Sequence, residues 1–240
     1  MFIKGLRTHF EKENAYWHNI PAIRALDTFR FRKPVTIFVG ENGSGKSTLI
    51  EAIAVNYGMN AEGGGRNFNF ATRETHAGLH EEITLSKLFL PEDTFFLRAE
   101  GMYNVATMIE DRYTDSKWNN YGGKSLHKRS HGEAFLSIMT HRFGSNGLYI
   151  LDEPESALSP MRQLTMLRLI DDLVQKGCQF IISTHSPILM SYPNAEIYEL
   201  NDDGIEQVDY KETDHYIVMK SFLENPDKML NYLFIDELEE

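Results

Sequence analysis

The run Val35-Thr-Ile-Phe-Val39, followed at once by Gly40-Glu-Asn-Gly-Ser-Gly45-Lys46-Ser47-Thr48, constrains the fold more than any other part of this 240-residue chain. Val35 to Val39 is apolar enough to be a buried central strand. Leu49, Ile50, Ile53 and Ala54 then recur at helical spacing, which predicts a helix over 46–57 ended by Gly58. The turn between them fits G-x-x-x-x-G-K-[ST]. In that strand–turn–helix order, glycines let backbone N–H groups turn inward, and the helix start adds the positive end of its dipole. Such a turn is built to cradle phosphate.

The residues of this loop, Gly40, Glu41, Asn42, Gly43, Ser44, Gly45, Lys46, Ser47 and Thr48, are therefore expected to hold ATP. Lys46 is expected to reach the β- and γ-phosphates and to act in catalysis, and Ser47 to ligate Mg²⁺ through its hydroxyl. Leu148-Tyr-Ile-Leu151 is a second buried strand, and it ends in Asp152 and Glu153. Adjacent carboxylates at a buried strand end are costly unless a cation compensates them. With a phosphate loop upstream, this is the position of a Walker B element. Asp152 suits an outer-sphere or water-mediated contact to Mg²⁺, and Glu153 suits a general base that polarises the attacking water.

Along the rest of the chain, Met1 to Leu6 and a stretch around Ala22 to Phe31 read as short strands. Residues 59–80 are rich in Gly, Asn and Thr and read as a loop, the segment from there to Asp93 has helical character, and Thr94 to Arg98 reads as a strand. Helices are expected over 132–141 and 160–176, and strands over 179–183, 196–200 and 205–210, the last two forming a hairpin. Residues 214–235 read as helical with a restart at Pro226, and the acidic residues 236–240 as a frayed tail. Alternating strands and helices with polar residues at strand ends indicate one α/β domain over 1–240 with a mostly parallel core sheet, an antiparallel β part and a small helical region around 100–145.

Composition excludes several classes. With 42% hydrophobic and 25% charged residues the chain is that of an ordinary globular protein, and no run reaches the ~18 apolar residues of a membrane span. Met1-Phe2-Ile3-Lys4 opens a strand-like segment instead of a signal peptide, so a cytoplasmic protein without membrane insertion is expected. A net charge of -11 argues against a surface that is basic all over, while Lys124, Lys128 and Arg129 form one small basic patch. The lone Cys178 reads as a small buried hydrophobe at a strand entrance. His76 and His80, beside Glu81 and Glu82, share a helical spacing but have no further ligand nearby, so no zinc is expected.

The remaining motifs resemble one family. Asp152-Glu153-Pro154 followed by Ser156-Ala157-Leu158-Ser159 resembles the Walker B and D-loop of ATP-binding cassette ATPases, and Ser183-Thr184-His185-Ser186-Pro187 resembles their switch-histidine segment. Arg129-Ser130-His131-Gly132-Glu133, with Ser130 standing 22 residues before Asp152 (152 minus 130), is similar to their signature. It departs from that signature at His131, where a glycine is usual, and at Glu133, where glutamine is common. Ser-His-Gly-Glu is similar to the variant of small stand-alone AAA family ATPases. The resemblance implies that His185 reaches the γ-phosphate, and that Ser130, Gly132 and Glu133 bind the nucleotide held by a second copy in a head-to-tail dimer. No glutamine follows the strand at 94–98, so Glu100 is the candidate for the family's further metal contact, and Tyr16, Trp17 or Phe10 for stacking on adenine.

The 84 residues between Lys46 and Ser130 (130 minus 46) leave no room for coiled-coil arms. Glu41-Asn-Gly-Ser-Gly45 and Thr184-His-Ser-Pro187 nonetheless resemble the heads of chromosome-maintenance and RecF-like repair ATPases more than a transporter subunit. By that analogy, ATP-driven dimerisation would act on a protein or nucleic-acid partner, in repair or in defence against foreign DNA. The alternatives are the nucleotide-binding subunit of a membrane transporter, and an ATP-gated switch with little turnover.

Overall fold

A computed structural model describes residues 1–11, 15–65, 78–112 and 122–235. Nine strands form two sheets among these residues. The larger has six strands in the order β5 (Asp93–Arg98), β6 (Gly147–Asp152), β7 (Gln179–Ser183), β3 (Val35–Val39), β8 (Ala195–Asn201) and β9 (Gly204–Val208). Its first five strands run parallel, and β9 pairs antiparallel to β8 across the turn at Asn201–Gly204. The smaller sheet is antiparallel, β2 (Thr28–Arg30), β1 (Ile3–Thr8) and β4 (Ile83–Lys87). The mostly parallel α/β class with an antiparallel part is the one the sequence indicates.

The central strands are buried on both faces, and their alternation divides two cores. Val35, Ile37, Val39, Tyr149, Leu151, Phe180 and Ile182 face α3 (Met102–Arg112), α4 (His131–His141) and α5 (Pro160–Gln175). Phe38, Leu148, Ile150 and Ile181 face α2 (Lys46–Tyr57), α1 (Pro21–Arg24) and the small sheet. Buried Gln179 ties the sheets together, accepting from the amides of Phe2 (2.6 Å) and Ile3 (3.0 Å) and donating to the Ile3 carbonyl (2.9 Å). Leaving those three backbone groups unpaired inside the protein would cost about 1–3 kcal/mol each. Cys178 is buried just before β7 and holds Gly144 O at 3.1 Å, and burial pushes its thiol pKa up.

Two segments differ from expectation. Residues 22–31 hold helix α1 and the three-residue strand β2, because Pro21 starts a helical turn that buries Ala22 and Ile23 before the chain extends. The segment before Asp93, expected as helical, is a single turn at Leu79–Glu81 followed by strand β4, in which Ile83 and Leu85 are buried and Thr84 and Ser86 exposed. That period of two is what packs it on β1. Gly58 ends α2 in the left-handed region at φ 98°, as expected. α6 (Pro187–Met190), α7 (Asp214–Glu224) and α8 (Pro226–Ile235) complete the order. His76 and the tail 236–240 lie outside the described residues. No helix among the described residues is long and apolar enough to cross a membrane.

Candidate active site

The phosphate loop joins β3 to α2 beside the point where the chain leaves β3 and its neighbours β7 and β8 return from later in the sequence. Ligands of open parallel sheets bind at such switch points, outside the carboxyl ends of the strands. Gly40 (φ 134°) passes so close to Leu200 O that a Cβ would stand 2.4 Å from it, and at Gly45 (φ 100°) a Cβ would meet Ile20 Cγ2 at 2.8 Å. The loop is therefore glycine-rich as much for packing as for turning.

Strand register assembles the acids. Arg98, Asp152 and Ser183 are direct partners across β5, β6 and β7, so their side chains share one face. Asp152 is buried and fully engaged. Its Oδ2 accepts from Arg98 Nε (2.9 Å), and its Oδ1 from Ser183 Oγ (2.5 Å) and Ser47 Oγ (3.1 Å). Arg98 also pairs with Glu51 of α2 at 3.0 Å. Burial works against the Arg98 charge, but Asp152 and Glu51 outweigh it and raise its pKa. Sequence reasoning missed Arg98 because no motif marks an arginine at a strand end. Glu100 lies exposed just beyond β5, where its charge acts on Glu153.

Lys46 is buried, and its Nζ donates to the loop's own carbonyls, Gly40 O at 2.8 Å and Glu41 O at 2.9 Å. Burial lowers its pKa, against the pull of Glu153, Asp152, Glu41 and Glu155. Glu153 holds the left-handed backbone region at φ 47°, ψ 51°, uncommon for a side-chain-bearing residue. The amide of Glu153 donates to Ser183 O (3.1 Å), and its carboxylate lies 3.6 Å from His185 Nε2. Burial, Asp152 and Glu100 raise the Glu153 pKa, with Lys46 opposing. The His185 pKa is lowered by burial, then by Lys46 and by His215. Lys46, Ser47, Asp152, Glu153 and His185 thus converge on one sheet edge.

Glu155, absent from the sequence reading, anchors the segment opposite. Its Oε1 accepts from the His185 amide at 2.5 Å, joining the turn after β6 to the turn after β7. Gln163 does the same from α5, accepting from Ser186 Oγ (2.5 Å) and donating to Leu158 O (3.0 Å).

Ser130, Gly132 and Glu133 sit elsewhere, at the start of α4. Ser130 caps that helix and forms a capping box with Glu133: Glu133 N donates to Ser130 Oγ (3.3 Å) and Ser130 N to Glu133 Oε2 (3.0 Å). Glutamate at the position where glutamine is common thus has a local structural use. Arg162 of α5 bonds both, at 3.0 Å and 3.2 Å. A Cβ on Gly132 would meet Ala157 O at 2.6 Å, so the glycine lets α4 approach the Pro154–Ala157 turn. Arg129 of the small basic patch braces this region internally, reaching Ser137 Oγ and Gly122 O.

Of the three aromatics, Trp17 is buried, Phe10 packs edge-on to His18, and Tyr16 is half exposed with its hydroxyl 3.4 Å from Thr48 Oγ1. Ser44 Oγ is buried without a partner. The hard oxygen donors of Ser47 and Asp152, an unpartnered loop hydroxyl and an ammonium held by its own loop all fit a triphosphate with Mg²⁺.

Comparisons with known proteins point to AAA domains and ATP-binding relatives. Residues 16–115 match a family described as "AAA domain", and residues 133–191 a second AAA domain whose description names the AbiEii toxin and type IV TA systems. The chain is 26% identical, over 69% of its length, to a xylose import ATP-binding protein of Thermoanaerobacter pseudethanolicus, of which it spans 37%. A Methanothermobacter thermautotrophicus protein bearing the name of an ABC transporter ATP-binding protein is 27% identical over 77% of this chain and 71% of its own length. The structure of cbiO1 from Clostridium perfringens superposes with a TM-score of 0.50 at 16% identity, covering 97% of this chain and 99% of that one, a likeness of fold. Motif order, sheet topology and these matches together liken the chain to the ATP-binding cassette type of ATPase.

Proposed function

We propose that the chain binds ATP and Mg²⁺ at residues 40–48 and hydrolyses ATP between two copies of itself. The observation that carries this reading is the hydrogen-bonded hub in which Asp152 joins Ser47 of the phosphate loop, Ser183 before the histidine turn and Arg98. Mg²⁺, when bound, would be held by Ser47 and Asp152, with Glu100 at the site's edge, and would offset charge on the β- and γ-phosphates. Lys46, released from its own loop's carbonyls, would hold the same phosphates, and the N-terminus of α2 would add its dipole. Glu153 takes a proton from the attacking water. Its raised pKa brings it closer to a useful base. His185 orients the reacting groups from the opposite side. Tyr16, half exposed beside Thr48, would stack on adenine.

Ser130 and the start of α4 would complete the site of the second copy in a head-to-tail dimer. The clamp so formed would act on a protein or nucleic-acid partner, in a cytoplasmic setting. A second reading, the ATP-binding subunit of a transporter, draws support from the names of the two transporter relatives, and co-fractionation with membranes would favour it. The deciding experiment is sedimentation of Glu153→Gln with and without ATP and Mg²⁺. A shift from monomer to dimer is expected, because that variant should bind ATP without consuming it. An unchanged mass with ATP bound would remove the clamp.

A further inference from the structure

We infer that His215, on the first turn of α7, is a positioning residue that fixes which ring nitrogen of His185 carries a proton. His215 Nε2 lies 2.9 Å from His185 Nδ1, with ring centroids 5.1 Å apart and planes at 51°. The inference deepens the hydrolytic reading of the site and rests on it for its kinetic consequence, though not for its structural one.

One proton lies along the N···N line of this contact, so two arrangements exist. If His215 donates, His185 carries its proton on Nε2, the nitrogen 3.6 Å from Glu153 Oε1. If His185 donates, its Nε2 presents a lone pair to an ionised carboxylate. The first arrangement places opposite partial charges together, the second places like ones together. The lowered His185 pKa keeps that ring neutral near pH 7, so the choice is between tautomers and not between charge states. His185 therefore aims an N–H at the reaction centre, toward the Glu153 carboxylate, which at 3.6 Å is beyond hydrogen-bond reach, so that this buried and otherwise unpartnered Nε2 is left to donate to a γ-phosphate oxygen. Proton abstraction is left to Glu153.

The segment that carries His215 is built to hold it. Buried Thr213 caps α7, accepting from Tyr216 N (3.3 Å) and donating to Tyr210 O (2.9 Å), and the Tyr210 and Tyr216 rings meet edge to face at 4.7 Å. The charged and titratable groups around the pair are Lys46, Glu41 and Glu153 on the loop side, with Asp214 and Glu199 on the α7 side. A cavity of about 230 Å³ between Glu41, His185 and Val218 borders the rings, so substitutions at 215 have room.

The test compares His215→Phe, which keeps the ring and removes the donor, with His215→Gln, whose amide N–H can donate in its place. Nitrogen NMR of labelled histidines, with His185 assigned by its loss in His185→Ala, is expected to show a protonated Nε2 and a bare Nδ1 in wild type and in His215→Gln. A mixture is expected in His215→Phe. Turnover by His215→Phe should fall about tenfold with KM for ATP within about twofold, and His215→Gln should recover to within about threefold of wild type. In a His185→Ala background, His215→Phe should cost nothing further. An unchanged His185 tautomer in His215→Phe overturns the inference, as does equal loss in the two variants or an additive loss in the double variant. Absence of ATP turnover in wild type would defeat the hydrolytic reading, while the NMR comparison still decides the role of His215.

Discussion

The two sets of motif residues in this chain are built in opposite ways. Around Asp152, side chains from β5, β6, α2 and the end of β7 meet in a buried cluster, and every link crosses between elements far apart in sequence. Around Ser130, the links are short-range or exposed: a capping box spanning three residues and an arginine from the neighbouring helix. Buried, cross-element charge clusters hold a site in one geometry, because losing a partner leaves a desolvated charge. A surface cap holds only its own helix. The contrast fits a nucleotide gripped firmly by the Asp152 side, with α4 presenting a face to something outside the chain.

The largest expected effect is on the buried side. Lys46→Ala should abolish detectable ATP binding by fluorescence titration, with the fold intact by circular dichroism. Retained binding would mean that the loop grips phosphate with backbone alone. Arg98→Ala should cost about 2–3 kcal/mol in urea unfolding, since it takes the paired guanidinium away from buried Asp152. Ser130→Ala should cost about 1 kcal/mol, the ordinary value of a helix cap, and leave ATP affinity of the monomer unchanged. Similar losses at Arg98 and Ser130 would erase the distinction between the two regions.

The smallest effect is the most diagnostic of burial. A carboxyl whose pKa is raised on folding binds its proton more tightly in the native state, so its contribution is favourable below the unfolded pKa and is lost as pH rises through the folded one. Glu153→Gln should accordingly melt roughly 2 °C above wild type at pH 8, and the gap should close as the pH falls toward 4. A gap that widens in acid would reverse the electrostatic reading of this residue.

Much of this was legible in the sequence, where a short-range pattern carried the information. The strand–loop–helix at 35–57 and the strand end at Asp152 follow from periodicity and glycine placement alone. The same reasoning failed at Ile83–Lys87, whose alternation is five residues long and adjoins a helical turn. It also passed over the capping box, although Ser130-x-x-Glu133 spells it, because the segment's family likeness drew attention to nucleotide instead. Arg98, Glu155 and His215 were illegible for a different reason. Each acts on a residue at least 30 positions away, and only the register of β5 on β6, the pairing of β6 with β7 or the return of α7 brings them together.

The left-handed backbone at Glu153 sets thermal robustness against chemistry at a single codon. A non-glycine residue held there costs about 1–3 kcal/mol, which glycine would largely recover. Glycine would also delete the carboxylate proposed as the general base. A library screened for heat resistance alone should therefore enrich glycine or asparagine at 153 and return well-folded proteins that turn over no ATP. A library screened for turnover should keep glutamate and accept the lower melting point, so the residue found at 153 reports which of the two pressures a population has experienced.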